Sequence, residues 1–509
     1  MKLSDIQTLG DLKKSGYQPK SIKQELRDNL VQKLKHKEKT FEGIIGFDYS
    51  VIPDLERAIL SRHNILFLGL RGQAKTRMAR LMVDLLDEYI PVVKGSEIND
   101  DPLQPLSLFA KNLIAEQGDD TPIEWLHRSE RFGEKLATPD VTVADLIGDI
   151  DPIKAATQKL NYSDERALHF GIIPRCNRSI FVINELPDLQ ARIQVALFNL
   201  LEEGDLQIRG FKLRFPLDIQ FVFTANPEDY TNRGSIVTPL KDRIESQILT
   251  HYPKSIEDSR RITEQESQIE AEQKATVEIP ELAKDLVEHI AFAARDSEFV
   301  DEKSGVSARL TISAMENLVS TAERRALRNN EKQTTVRIAD FSGVFPAITG
   351  KIEMVYEGEQ EGPMRVAQSI MDKAIRNLFV QYFPNPSKPK KSKKQNEERN
   401  IYAGIQAYFE QGNALDILTE MPDKEYQAEL NKIKGLKEFV ESNSRIKIHK
   451  SEIYCWMEFV LHGMAAYSLL SKFQLEEGNR FKDITGSMFS LGNQPREDDL
   501  DDDLKELFK

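Results

Sequence analysis

Cysteine is nearly absent from this chain. Its 509 residues hold two, Cys176 and Cys455, far apart and with no CxxC spacing, which excludes a disulfide framework and argues against structural zinc. Histidine is scarce as well, eight in all, and none falls in a ligand motif. No apolar run approaches the length of a bilayer span, and the opening MKLSDIQTLGDL lacks the apolar stretch of a signal peptide. A cytoplasmic protein with no membrane partner is the expectation. Positive charge is in deficit: 69 Lys and Arg against 82 Asp and Glu leave a formal charge of −13, which argues against a general nucleic-acid binder, because phosphate contacts require a basic surface.

What remains is 40% hydrophobic and 30% charged, the composition of globular domains, and long enough for two or three of them. The chain is organised around residues 64–80, NILFLGLRGQAKTRMAR. Residues 65–68 read as a buried strand, 69–76 as a turn, and Met78, Leu81, Met82, Leu85 and Leu86 as one face of a helix. Strand, glycine-containing loop, Lys-Thr and helix is the P-loop order. Backbone N–H groups at a helix start have no intrahelical partners and can cradle phosphate oxygens; Lys75 would reach the outer phosphates and the Thr76 hydroxyl would ligate Mg²⁺. Gly69, Gly72, Gln73, Ala74, Lys75 and Thr76 are therefore the candidate ATP-binding residues. Ala74 stands where glycine is usual, and its methyl group is expected to hold that position to ordinary backbone dihedrals. A plain strand-to-helix turn with an exposed Lys-Thr is the structural alternative.

Taken in order, residues 1–40 suggest one amphipathic lead-in helix with Ile22, Leu26, Leu30 and Leu34 on a face. More than a hundred residues separate Lys75 from the next buried strand, 180–183, so an insertion is expected. Its pieces read as a helix over 105–117, a short strand and turn over 142–148, a helix over 151–160 and an extended segment over 169–174. The stretch 179–185, SIFVINE, is an apolar strand with polar residues at its carboxyl end, where open parallel sheets present their chemistry. P-loop ATPases usually carry Asp-Glu there, for Mg²⁺ and for the attacking water. Here the pair is Asn184 and Glu185: the base remains available, and the metal ligand becomes a neutral carbonyl, which weakens Mg²⁺ binding without abolishing it.

A helix over 190–203 and a hairpin flanking Gly210 follow. The strand 219–224 ends at Asn226, placed to hydrogen-bond the attacking water or the terminal phosphate; a turn-forming Asn-Pro is the plainer alternative. Arg243 closes a short helix, and residues 280–380 read as mostly helical, with Arg309 at a helix entrance. Residues 384–399, rich in lysine and proline, read as a linker. Five lysines over 388–394 could contact nucleic acid or an acidic partner, with a solvated linker preferred. The segment from 400 to about 490 reads as helical and carries Trp456; an acidic tail closes the sequence.

The segments GLRGQAKT, FVINE, FTANP, LKDRI and GVSARLT stand in the order found in AAA+ ATPases. From about 41 to 350 the chain resembles the MoxR and magnesium-chelatase I-subunit group, whose helix-2 insert accounts for the long interval before 180 and in which alanine before the P-loop lysine is familiar. The resemblance implies an α/β fold: a P-loop AAA+ three-layer core with a parallel sheet, a helical lid, and here an additional, mainly α-helical C-terminal domain. The implied division is a lead-in over 1–40, the core over 41–255 with helix-2 and pre-sensor-1 inserts, the lid over 256–383, the linker over 384–399 and the C-terminal domain over 400–509. It also implies roles: Asn184 and Glu185 as the Walker B pair, Asn226 as sensor 1, Arg243 as an arginine finger serving the neighbouring subunit of a hexameric ring, and Arg309 as sensor 2, with Arg233 and Arg295 competing for the last two. An ATPase that remodels a partner protein or assists metal insertion is implied, with a von Willebrand factor A domain protein as client. The alternative is a nucleotide-gated scaffold with slow or no hydrolysis. A sigma-54-type activator lacks support, since no GAFTGA loop and no basic recognition helix are present. Asn184 and the extra C-terminal segment also separate this chain from a magnesium chelatase subunit.

Overall fold

The computed structural model describes residues 5–157, 165–202, 205–207, 214–227, 235–387, 400–475 and 477–484. The chain divides into two compact units, 1–252 and 253–509. In the first, β1 (Ile65–Leu68), β2 (Phe132–Leu136), β3 (Ser179–Asn184), β4 (Ile219–Ala225) and β5 (Ser246–Leu249) form one parallel sheet in the order β5-β1-β4-β3-β2. Successive side chains of a strand face opposite sides, and both sides of this sheet are buried. Ile65, Phe67, Ile180, Val182 and Val222 join one apolar cluster, while Leu66, Phe181, Ile183, Phe221 and Phe223 join another. A parallel sheet covered on both faces favours apolar residues on both sides of each strand, which is why the central strands read as mainly apolar runs.

Helices α1 (Leu9–Lys14), α2 (Ile22–Lys35), α3 (Val51–Leu60) and α4 (Lys75–Leu81) precede or follow β1. The single lead-in helix expected over 1–40 is thus two, each begun by a hydroxyl cap: Thr8 accepts from the Asp11 N–H and Ser21 from the Gln24 N–H. Ile22, Leu26 and Leu30 pack with Val51, Leu55 and Ile59 of α3 and with Met78, Ala79 and Met82 on the first face of the sheet. Leu34, expected on the same stripe, is 39% exposed. Glu25 is fixed by a buried bidentate pair with Arg131, at 2.6 and 2.7 Å, and Arg131 also donates to the Arg178 carbonyl at 2.9 Å. The lead-in is therefore built into the nucleus of this unit.

The insertion between α4 and β3 contains α5 (Leu108–Gln117), as expected, together with an antiparallel strand pair, Tyr89–Val93 with Ile123–His127. Over 142–148 the structure corrects the expected strand: α6 (Val143–Leu146) forms there, because Thr142 and Asp145 close a reciprocal capping box. The segment 169–174 is half extended: Leu168–Phe170 pairs antiparallel with Gly148–Ile150, and a helical turn, Ile172–Arg175, follows. Of the helix expected over 151–160, Pro152–Thr157 is helical, Asp151 precedes it, and residues 158–160 lie outside the described residues. The helix expected over 190–203 is two, α7 (Ala191–Ala196) and α8 (Phe198–Glu202), and Ile193, Leu197 and Leu200 join the second core cluster. Strands Asp205–Gln207 and Arg214–Pro216 pair as a hairpin; Gly210 lies outside the described residues. A short helix, α9 (Thr238–Asp242), leads to β5.

The second unit is mainly helical, built on α10 (Glu281–Arg295), α11 (Arg309–Arg328), α12 (Pro363–Tyr382) and α13 (Ile453–Ala466). One apolar cluster runs from Val277 to Phe481, so the segments on either side of 384–399 share a core. Gly463 of α13 permits a close helix approach: a Cβ there would lie 2.0 Å from the Phe379 ring of α12. Beyond the helices this segment holds a small antiparallel sheet in which Leu415–Leu418 and Ser471–Leu475 flank Gly478–Lys482. The lysine cluster over 388–394, the acidic tail and Arg233 lie outside the described residues. Among the described residues no helix is long and apolar enough to cross a membrane.

Replacing Arg131 by Ala would leave the Glu25 carboxylate buried without its partner, which typically costs about 3–5 kcal/mol. Urea melts of the purified protein are expected to show a loss of that order, and a loss under about 1 kcal/mol would contradict the pairing.

Candidate nucleotide site

Register places the site. β1 pairs with β4 so that Leu68 lies beside Ala225, and β4 pairs with β3 so that Phe223 lies beside Ile183. The three carboxyl ends therefore open onto one mouth, and the residues just beyond them, Gly69, Asn226 and Asn184 with Glu185, meet there. In an open α/β sheet this is where ligands bind.

The loop from Gly69 to Ala74 is held from several sides. The Gly69 N–H donates to the Ala225 carbonyl at 3.1 Å. A Cβ on Gly69 would fall 2.0 Å from the Thr250 hydroxyl and 2.3 Å from the Gln73 amide oxygen, so only glycine fits. Thr250, just past β5, donates to Gln73 at 2.6 Å, and the Tyr252 hydroxyl donates to the Arg71 carbonyl at 3.0 Å. Gly72 turns through φ 71°. Ala74 sits at φ 56°, ψ 17°, which corrects the expectation that it would keep ordinary dihedrals: the loop retains the left-handed turn that a glycine would make without strain.

Lys75 opens α4 and is buried. Its ammonium donates to the Asn226 side-chain oxygen at 2.7 Å, to the Leu70 carbonyl at 2.9 Å and to the Gly69 carbonyl. Asn226 in turn donates to the Glu185 carboxylate at 2.9 Å. Glu185 stands at φ 57°, its N–H held by the Thr224 hydroxyl at 3.1 Å; a non-glycine residue in this region marks backbone that the surroundings over-determine. Thr76 donates to the Asn184 side-chain oxygen at 3.0 Å, and Thr224 donates to the same oxygen at 3.2 Å. Five of the residues singled out from the sequence thus converge: Lys75, Thr76, Asn184, Glu185 and Asn226.

The donor set suits a hard cation only in part. Thr76 and Asn184 offer neutral oxygens side by side, the ligand type Mg²⁺ takes, and among the described residues no group of three or more His, Cys, Asp or Glu could hold a metal ion alone. Any Mg²⁺ here would have to share its coordination with ligand phosphates, and the residues present fit that case.

The arginines have partners of their own. Arg243, directly after α9, donates to Glu202 of α8 at 2.8 Å and to the Pro239 carbonyl at 2.8 Å. Arg309 begins α11 in the second unit, with its backbone N–H on the Ser307 hydroxyl at 3.1 Å; Arg295 closes α10 and donates to the Val306 carbonyl at 3.2 Å. Sequence reasoning missed Thr224, Thr250, Tyr252 and Glu202. Thr224 carried a signal, a hydroxyl two residues before Asn226 at the end of a mainly apolar strand, whereas the others depend on partners remote in sequence. Both cysteines are free, and burial pushes the Cys176 thiol up to about 12, far from the thiolate that nucleophilic chemistry needs.

Together the parallel sheet, the loop after β1 and the carboxyl end of β3, with β4 between them, define an α/β core with a P-loop-like site, followed in the chain by a mainly helical second unit. No family model and no curated protein matches the chain. Among solved structures, a Cytophaga hutchinsonii protein described as a candidate ATPase is similar at 17% identity over 71% of this chain and 98% of its own, with a TM-score of 0.27. The BchI–BchD complex of magnesium chelatase is similar at 17% identity over 63% and 98%, TM-score 0.33. Brucella abortus NtrX in complex with ADP is similar at 13% identity over 69% and 66%, TM-score 0.36. Scores this low add nothing to the strand order and registers, on which the fold assignment rests.

Changing Ala74 to Gly is expected to stabilise the protein by about 1 kcal/mol, by removing left-handed strain. The midpoint of denaturant unfolding reads this directly, and a lowered midpoint would contradict the turn.

Proposed function

We propose that this chain is a cytoplasmic, Mg²⁺-dependent ATPase of the AAA+ type that assembles as a ring, hexameric by resemblance, and uses ATP turnover to remodel a partner protein or assist metal insertion. The observation that carries the reading is the convergence of Lys75, Thr76, Asn184, Glu185 and Asn226 at one mouth of the sheet. On ATP binding, Lys75 would exchange the Gly69 and Leu70 carbonyls for outer phosphate oxygens, while the glycine-bearing loop closes around the inner ones. Glu185, oriented by Asn226, would accept the proton of the attacking water. Thr76 and Asn184 would hold Mg²⁺, which when bound supplies charge neutralisation across the phosphates. Arg243 would act on the nucleotide of the neighbouring subunit and Arg309 on nucleotide from the helical unit. A protein with a von Willebrand factor A domain is the client that the resemblance suggests.

Asn184 favours a second reading. With a neutral oxygen already accepting two hydroxyls where a carboxylate is usual, the protein would bind ATP and assemble while hydrolysing slowly, as a nucleotide-gated scaffold.

Phosphate release with ATP and Mg²⁺ across a protein dilution series separates the two. The ATPase reading expects turnover that is lost in Glu185→Gln and falls on dilution, with ATP binding abolished in Lys75→Ala. Binding without turnover, restored by Asn184→Asp, would instead establish the scaffold.

A further inference from the structure

Among the described residues, the partners of Arg243 do not use up the donors of its guanidinium. Nε and one terminal nitrogen, Nη2, both lie on the same Glu202 oxygen, at 2.8 and 2.7 Å. Nη1 donates to the Pro239 carbonyl at 2.8 Å, and the guanidinium carbon stands 5.2 Å from the centre of the Phe198 ring. Glu202 and Phe198 are four residues apart on α8, hence on one helix face, and Pro239 belongs to α9. A guanidinium carries five N–H donors in a rigid planar fork. Glu202 takes the side formed by Nε and Nη2, and Pro239 takes one N–H of Nη1. Among the described residues one N–H on each terminal nitrogen has no further partner, which leaves two donors for an oxyanion.

We infer that Glu202, seated on α8 with Phe198, is a positioning residue that presents the end-on edge of Arg243 to a phosphate of a neighbouring subunit's nucleotide. The inference rests on the reading of Arg243 as a finger acting between subunits. A latch would occupy the edge that binds the anion; this contact occupies the other one. The Glu202 side chain is 59% exposed and that of Arg243 28%, and an ion pair so placed adds little to folding stability, about 0–1 kcal/mol. Its fixed geometry is where it can act: a catalytic group displaced by an ångström can lose on the order of 100-fold in rate.

The test mixes subunits with complementary defects. Glu202→Gln and Glu202→Ala should lower kcat roughly 10- to 100-fold, with KM for ATP and the unfolding midpoint unchanged. Lys75→Ala subunits are inactive in their own P-loop and keep an intact Arg243 platform. Mixed with Glu202→Gln subunits, they should restore turnover, since intact P-loops then face correctly held arginines. Arg243→Ala mixed with Lys75→Ala is the control for the finger itself. Turnover of Glu202→Gln equal to the parent protein, or a loss that mixing does not restore, overturns the positioning role while a restored Arg243→Ala mixture leaves the finger standing. An Arg243→Ala mixture that stays inactive, or a parent protein without turnover, overturns the finger and this role with it.

Discussion

The contact on which the site depends is the one between the Lys75 ammonium and the Asn226 side chain. It ties the loop after β1 to the end of β4, and through the Asn226 amide to Glu185 at the end of β3. A buried ammonium is tolerated only when its donors are satisfied, and here two loop carbonyls and one carboxamide do so. The positive charge that would meet a phosphate is thereby held in place before any ligand arrives. Anion entry means trading those neutral oxygens for charged ones, an exchange that strengthens each hydrogen bond.

The same economy of charge marks the metal side of the site. Thr76 and Thr224 both point their hydroxyls at Asn184, so a carboxylate is not needed to orient them. A neutral residue here removes like-charge repulsion against Glu185, and in exchange gives up the strongest oxygen ligand available to a divalent cation.

Much of this was legible in the sequence, and the reasons are local. Strands buried on both faces are mostly apolar, so β1, β3 and β4 announce themselves, and the polar residues at the carboxyl ends of β3 and β4 mark the site. β2 was not legible: its FGEKL sequence belongs to a sheet edge with partly exposed positions, and its identity comes only from pairing with β3. Residues 142–148 misled because β-branched residues suggest a strand, while the Thr142–Asp145 pair decides for a helix. Thr250 and Glu202 act through partners 177 and 41 residues away in sequence, a distance no local pattern spans. Arg309 lies at the helix entrance its sequence suggested, in a unit whose own core is independent of the sheet.

The strand order has a consequence for how such a chain is made. β1 lies between β4 and β5, the last two strands of the sheet to leave the ribosome. A nascent chain that has completed its P-loop carries β1 with neither edge paired until residues 219–249 have emerged. During that interval the apolar strand is an open template for misassembly, and its protection falls to the helices already synthesised. The lead-in helix α2, which packs against the same sheet face as β1, is made before β1, and so can shelter it while the two flanking strands are still being translated.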